Sequence, residues 1–367
     1  ITNAGGANPI ACAKAIKSNI KDSESIKIAV IQGDDIYENL EKYVDDIDTF
    51  ENIDTNESFH LISSKVTSAN VYIDSFCVKD ALSLGADIVL CGRVTDPGLT
   101  LGPMLHEFNW QKNDFNKLAS GTLAGHIIEC GAQCTGGNFS GWENVDNYDN
   151  IGYPIVNMHS SGDFFISKPE NSGGLLNKYT VIEQILYEMG NPKMYLSPDV
   201  VVDFTSFSIT EKDNFVHIKN VRGSKPTKTY KVSLSYESGY KATGQLTLTG
   251  PNVYDKAIKT SEIIWKRLEN YGVFFENKKT EFLGYSSCHK DVIPTPKNTN
   301  EIVLRLSVKD NDIDKIKSFS KEIAPVITNG PSGITGFSGG RPKPQNIVAY
   351  WPALISKDKI QTSIKVI

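Results

Sequence analysis

The sequence predicts an α/β chain. An N-terminal parallel-sheet β-α-β domain is expected over residues 1–192. An α+β domain with a mainly antiparallel sheet is expected over residues 193–367. Three observations predict this. Short unbroken apolar runs at 26–32 (IKIAVIQ) and 87–91 (DIVLC) are each followed by a glycine, a polar turn and a helical stretch. That is the pattern of buried parallel strands joined by helical crossovers. Beyond residue 200 the runs 200–209, 215–221, 229–236 and 243–249 read as alternating strands, with helices at 252–271 and 312–322 and a strand at 302–308. At 367 residues the chain also exceeds what one core usually serves, and the boundary is placed between Pro192 and Pro198.

Taken in order, Ile1-Thr2-Asn3 reads as the end of a strand feeding a helix over 9–18, so further α/β sequence is expected ahead of Ile1. Gly33-Asp34-Asp35 turns the 26–32 strand into a helical stretch. A helix over 75–84 stops at Gly85, the usual left-handed terminator. Asp96 before Pro97 reads as an N-cap followed by proline at the first helical position, where its missing N–H costs nothing. Residues 114–131 are helix-rich, apolar on one side and small on the other, and 136–149 are loop-like. Thr180 and Glu183 form a T-x-x-E capping box for a helix over 180–189, closed by Gly190-Asn191-Pro192. Ser238-Gly239 is expected to turn a hairpin between 229–236 and 243–249.

Apolar residues are 40%, charged residues 22% and the net charge is −5, a composition that disfavours general nucleic-acid binding. No run approaches the roughly 18 apolar residues a membrane helix needs. Six scattered cysteines do not form a disulfide framework, and a reducing compartment, cytoplasmic or mitochondrial, is expected.

In a parallel sheet, ligands bind beyond the carboxyl ends of the strands. The first such end offers Thr2, Asn3, Gly5 and Gly6. The second offers Gln32, Gly33, Asp34 and Asp35, and the third Gly92, Arg93, Thr95 and Asp96. Arg93 suits a bidentate anion clamp, and an aspartate suits a base or a metal ligand. Each also has a plain structural role: Asp34 and Asp96 as helix caps, the glycines as tight turns. His126, Cys130 and Cys134 share one face at helical spacing, with Glu129 beside them. His126 or Glu129 as acid or base is the preferred reading there over a metal site or a Cys130 nucleophile. Glycine clusters at 172–174 and 329–336 suit phosphate loops, but Walker and dinucleotide fingerprints are absent, which disfavours ATP and NAD.

The blocks at 3–9 (NAGGANP), 92–96 (GRVTD), 120–137 (SGTLAGHIIECGAQCTGG), 180–190 (TVIEQILYEMG) and 197–205 (SPDVVVDFT), with Lys231-Val-Ser, Gly250-Pro251 and Tyr350-Trp351-Pro352, resemble the acyclic terpene utilisation A (AtuA) family over nearly the whole chain. The family name comes from clusters for citronellol and geraniol catabolism, which runs through acyl-CoA intermediates. The resemblance implies an enzyme acting on a branched acyl-CoA or related carboxylic acid by proton abstraction, hydration or C–C cleavage. Asp96, His126 and Glu129 are assigned proton transfer. Arg93, Thr95, Asn3, Asp34, Asp35 and the backbones of Gly5, Gly6, Gly136 and Gly137 are assigned to substrate binding. A CoA thioester is a possible substrate, no cofactor is expected, and a homo-oligomer is the expected assembly. The alternatives are a non-catalytic scaffold for acyl-CoA carboxylase subunits and a metal-dependent hydrolase using His126 with Asp34 or Asp35.

Overall fold

The computed structural model describes residues 1–6, 8–20, 25–44, 50–212, 214–285, 287–289, 292, 299–336 and 339–367. Ala7, within the 3–9 block, lies outside them. Along the chain run α1 (Pro9–Asn19), β1 (Ile28–Gln32), β2 (Val66–Val71), α2 (Phe76–Ser83), β3 (Ile88–Cys91), α3 (Gly98–Glu107) and α4 (Phe115–Glu129). Then come β4 (Ile155–Met158), β5 (Phe164–Ser167), α5 (Lys178–Leu186), β6 (Tyr195–Leu196), β7 (Val201–Asp203), β8 (Ser208–Lys212), β9 (Phe215–Lys219) and β10 (Arg222–Ser224). The remainder is β11 (Thr229–Thr249), α6 (Val253–Asn270), β12 (Asn277–Leu283), β13 (Glu301–Asp310), α7 (Ile313–Glu322), α8 (Val326–Asn329), β14 (Ile334–Thr335), β15 (Gln345–Ser356) and β16 (Ser363–Val366).

These elements pack as two compact units, one of residues 1–63, 68–234 and 351–367, the other of 64–67 and 235–350. The division expected at 192–198 does not separate them. β6 pairs with β7 and β7 with β10, while β8 and β9 join β4 and β5 in one antiparallel sheet. Val200, Val202, Val216 and Ile218 thereby enter the same core as α4, because burying their apolar faces needs that helix.

In the first unit β1 and β3 pair in parallel, from Ile28 opposite Ile88 to Ile31 opposite Cys91. α2 lies between them in the chain, as the β-α-β reading requires. β16 closes the other edge of β1 in antiparallel sense, so the sheet is mixed. α1 begins where expected: the Asn8 side chain accepts from Ala11 N at 2.9 Å, with Pro9 at the first position. α2 is followed by Gly85 at φ +77°. Two helix starts differ from expectation. α3 begins at Gly98 with Pro97 as its cap residue, and Asp96 pairs with Arg93. α5 begins at Lys178, with Asn177 and Thr180 forming the capping box, while Glu183 instead accepts from Ser140 N at 3.0 Å. α4 is buried all round from Leu118 to Ile127, consistent with its small residues.

In the second unit β12, β13, β11 and β14 form an antiparallel order, with Tyr240 opposite Asp310 through Thr249 opposite Glu301. α6 buries Val253, Ala257, Thr260, Ser261, Ile264 and Leu268, spaced as one helical face, and α7 buries Ile316 and Phe319 in the same core. The hairpin expected at Ser238-Gly239 does not form. β11 runs straight through it, and Gly239, at φ +80°, serves a close approach to Asp310 and Asn311. Among the described residues, no helix is long and apolar enough to cross a membrane.

Candidate functional site

Parallel pairing sends three expected segments off one edge of the first sheet. Thr2 bridges to Leu90, and its carbonyl accepts from Cys91 N at 2.9 Å, so Asn3, Gly33-Asp34 and Gly92-Arg93 all leave at the carboxyl ends. Asp34 is the brace of this edge. Its buried carboxylate accepts from Arg93 N at 2.5 Å and Asn70 Nδ2 at 3.3 Å, and its carbonyl accepts from Val71 N at 2.7 Å. A Cβ on residue 92 would run into that carboxylate, which is why glycine stands there. Burial pushes the Asp34 acid up, and the Arg93 and Asn70 bonds oppose it. Asp35 is exposed and accepts from Tyr37 N at 3.0 Å, an ordinary Asx turn. Asn3, Gly5 and Gly6 form the turn into α1, in which Gly6 N donates to the Asn3 carbonyl at 3.0 Å and Gly5 is buried near Pro9 and Cys12.

Held by that brace, Arg93 stands behind a cavity of about 340 Å³ in the first unit, against Tyr72 and Asp96 of its lining. Its guanidinium pairs with Asp96, donates to the Val94 carbonyl at 3.3 and 3.2 Å, and lies 4.6 Å from the centre of the Tyr72 ring. The Lys231 ammonium lies 5.4 Å from the same ring. Tyr72, Thr95, Asp96, Tyr195, Ser197 and Lys231 line the cavity, with Ile53, Pro97, Leu196 and Leu354 giving it an apolar part. Thr95 is fixed by its N–H to the Ile73 carbonyl at 3.0 Å, and Tyr72 N donates to the Lys231 carbonyl at 2.9 Å. The lining is therefore one cation, one carboxylate, hydroxyls and an apolar wall, with the Arg93 guanidinium held against the same Tyr72 ring and Asp96 carboxylate. That combination suits an organic anion with an apolar body.

Glu129, at the end of α4, does not line the cavity but interacts electrostatically with Arg93 and Tyr195. Burial and the Glu188 carboxylate push its acid up, and Arg93 draws it down. Tyr195 is pushed up to about 12 by burial and by Glu129 and Glu188, so its phenol keeps its proton at neutral pH. Glu188 sits at φ +54°, a left-handed backbone uncommon outside glycine and asparagine.

His126 does not join them. It is buried in the core, its Nε2 3.2 Å from the Ile185 carbonyl, its ring packed near Tyr195 and Phe204. Nor do His126, Cys130 and Cys134 share a helical face, because α4 ends at Glu129 and a 3-10 turn follows. Among the described residues no group of three or more metal-ligating side chains occurs. Gly136 N and Gly137 N donate to the Gln133 and Ala132 carbonyls at 3.3 and 2.9 Å, so these amides serve the turn rather than an anion. Burial also lowers the His126 imidazole below its ordinary 6.5. Below about pH 6.5 the unfolded imidazole takes a proton that the folded one refuses, so stability falls with falling pH. His126→Gln is expected to flatten that acid limb in urea unfolding at stepped pH. An unchanged limb would remove the burial argument.

The model of the acyclic terpene utilisation family protein AtuA matches residues 1–366. The chain belongs to the AtuA family. No curated protein and no solved structure matches it. In this AtuA-family chain Arg93, Thr95 and Asp96 were reachable from sequence as a strand end. Nothing local in the sequence marks Tyr72 or Tyr195, whereas Lys231, Ser197 and Glu188 stand inside blocks that carry the resemblance.

Proposed function

We propose that this cavity is the active site of an enzyme of acyclic terpenoid breakdown, acting on a methyl-branched carboxylic acid or its CoA thioester by acid–base chemistry. The observation that supports it is the paired cations of Arg93 and Lys231 on Tyr72 beside an apolar wall. Arg93 and Lys231 hold the carboxylate, or the oxygen that becomes negative as a proton leaves the neighbouring carbon. Asp96, at the cavity and oriented by Arg93, takes that proton. Glu129, an acid that burial and Glu188 push up and Arg93 draws down, is the proposed partner that returns one. Tyr195 supplies a neutral hydrogen-bond donor. His126 has no role in this scheme.

The test is a thermal-shift series with the acids of citronellol and geraniol, their CoA thioesters and a straight-chain acid. A ligand at a hundredfold its Kd stabilises by about 2.7 kcal/mol. Stabilisation by the branched acids or thioesters above the straight-chain acid is the expected result. A flat series across all of them would reject the reading.

A further inference from the structure

One wall of the cavity is the tip of a slender hairpin. β6 pairs with β7 at two positions, Tyr195 opposite Val202 and Leu196 opposite Val201, and Ser197 N closes the tip by donating to the Val200 carbonyl at 3.1 Å. β6 is the edge strand of its sheet, and Tyr195, Leu196, Ser197 and Pro198 all line the cavity. So short a pairing is marginal by itself, and the wall depends on anchors outside its own sheet. Asp199, 4% exposed, supplies one. Its carboxylate accepts from Ser75 N at 2.9 Å and from Ser75 Oγ at 2.7 Å, and its own N–H donates to Ser197 Oγ at 3.3 Å. Lys357 supplies the other. Its ammonium donates to the Pro198 carbonyl at 2.6 Å and lies 5.1 Å from the centre of the Tyr230 ring, while its N–H donates to the Lys228 carbonyl at 3.0 Å. Tyr230 is buried and donates its hydroxyl proton to the Asp74 carboxylate at 2.6 Å. Its neighbours Thr229 and Lys231 line the cavity, and strand alternation turns Tyr230 to the opposite side of β11. A single half-buried lysine thus ties two walls together, 195–198 and 229–231.

We propose that Lys357 and Asp199 are positioning residues that fix the separation of these two walls and so make the cavity select a methyl-branched chain over a straight one, a role that rests on the ligand class proposed above. Neither side chain lines the cavity, so each acts through the wall and not on the ligand. Both anchors are charge-assisted hydrogen bonds, the stronger kind. Leu196, Pro198 and Leu354 give the cavity apolar surface, and Leu354 stands on the same terminal segment as Lys357. Choosing a branched chain requires walls that do not close around the narrower one. A gap of about 0.5–1 Å beside a straight chain forfeits a quarter to a half of each contact it leaves open. A wall free to shift by that much fills the gap, and the discrimination goes with it. Holding the wall by bonds from Ser75 and Lys357 prevents that collapse.

The test is calorimetric titration of the full chain with a methyl-branched acid and with the straight-chain acid lacking the methyl, alongside hydrogen exchange at the Ser197 amide. Wild type is expected to prefer the branched acid by about tenfold or more, the scale on which an apolar pocket reads one carbon. Lys357→Met is expected to bring the two affinities within about twofold of each other and Lys357→Arg, which keeps a donor for Pro198, to retain the preference. Asp199→Asn leaves one acceptor where Ser75 presents two donors and is expected to behave as the methionine variant does. Loss of both affinities with their ratio unchanged would mark a purely structural role and overturn the proposal. The Ser197 amide reports the wall without any ligand, and Lys357→Met is expected to exchange it about tenfold faster or more. Unchanged exchange there also overturns the clamp. A wild type that binds neither acid rejects the reading of the cavity, and the Ser197 amide then decides the clamp by itself. If neither Lys357→Met nor Asp199→Asn folds, a wild-type Ser197 amide exchanging as fast as a free peptide overturns the clamp, and a protected one supports it.

Discussion

Replacing Arg93 by methionine is expected to remove the response to branched acids while leaving the fold in place. The Asp34 brace holds the Arg93 backbone, and the guanidinium stands against Tyr72 and Asp96, both of which line the cavity. Charge-assisted bonds of this kind contribute about 1.5–3 kcal/mol each, which corresponds to roughly 10–150-fold in affinity. Methionine keeps apolar bulk on the Tyr72 ring and removes the donors. The Arg93–Asp96 pair is partly exposed, so its own contribution to stability is about 1 kcal/mol or less. Arg93→Lys keeps the charge without the planar fork and is expected to fall between the two. Calorimetric titration with the branched acid reads the change. Wild-type affinity in the methionine variant would show that the anion binds elsewhere.

Gly125→Ala is expected to produce the larger loss of stability. A Cβ there would lie 2.6 Å from the Pro97 carbonyl oxygen and 2.7 Å from the Pro97 Cα. Both are backbone atoms, so no flexible side-chain end can swing aside. Either α4 or the turn at residues 95–97 must move. Overpacking of this kind costs about 3 kcal/mol, and alanine returns about 1 kcal/mol of helix propensity. The net loss is about 2 kcal/mol, or roughly 4–8 °C in Tm for a unit of this size. Because Thr95, Asp96 and Pro97 line the cavity, the same substitution is expected to weaken ligand binding. Gly190→Ala is the control, since nothing lies within 4 Å of the added atom. Equal Tm values for the two variants would show that the close approach of α4 to Pro97 is not a constraint.

The elements legible in the sequence are those with local signals. α1 carried a strand end and turn leading into Pro9, α2 its Gly85 stop, β1 and β3 their unbroken apolar runs, and α6 and α7 a helical pattern. β4, β6, β7 and β10 span two to four residues, too few to show a period of two. β16 is defined by pairing with a strand far away in sequence, which no local pattern records. Ser238-Gly239 looked like a hairpin turn because a positive-φ glycine serves a turn and a close approach equally well. The site divides in the same way. Arg93, Thr95 and Asp96 follow a recognisable parallel strand, whereas Tyr72, Tyr195 and Lys231 come from separate strands and loops that only the fold brings together. The polarity of His126 suggests chemistry, while its Ile185 contact and burial make it part of the core.

The discontinuity of the first unit has a consequence for biosynthesis. β1 needs β16 along one edge, and residues 351–367 leave the ribosome after the whole of 235–350. The nascent chain must therefore carry an uncapped strand edge while the inserted segment is being translated. That interval exposes a template for wrong pairing, and it is when a chaperone has most to protect.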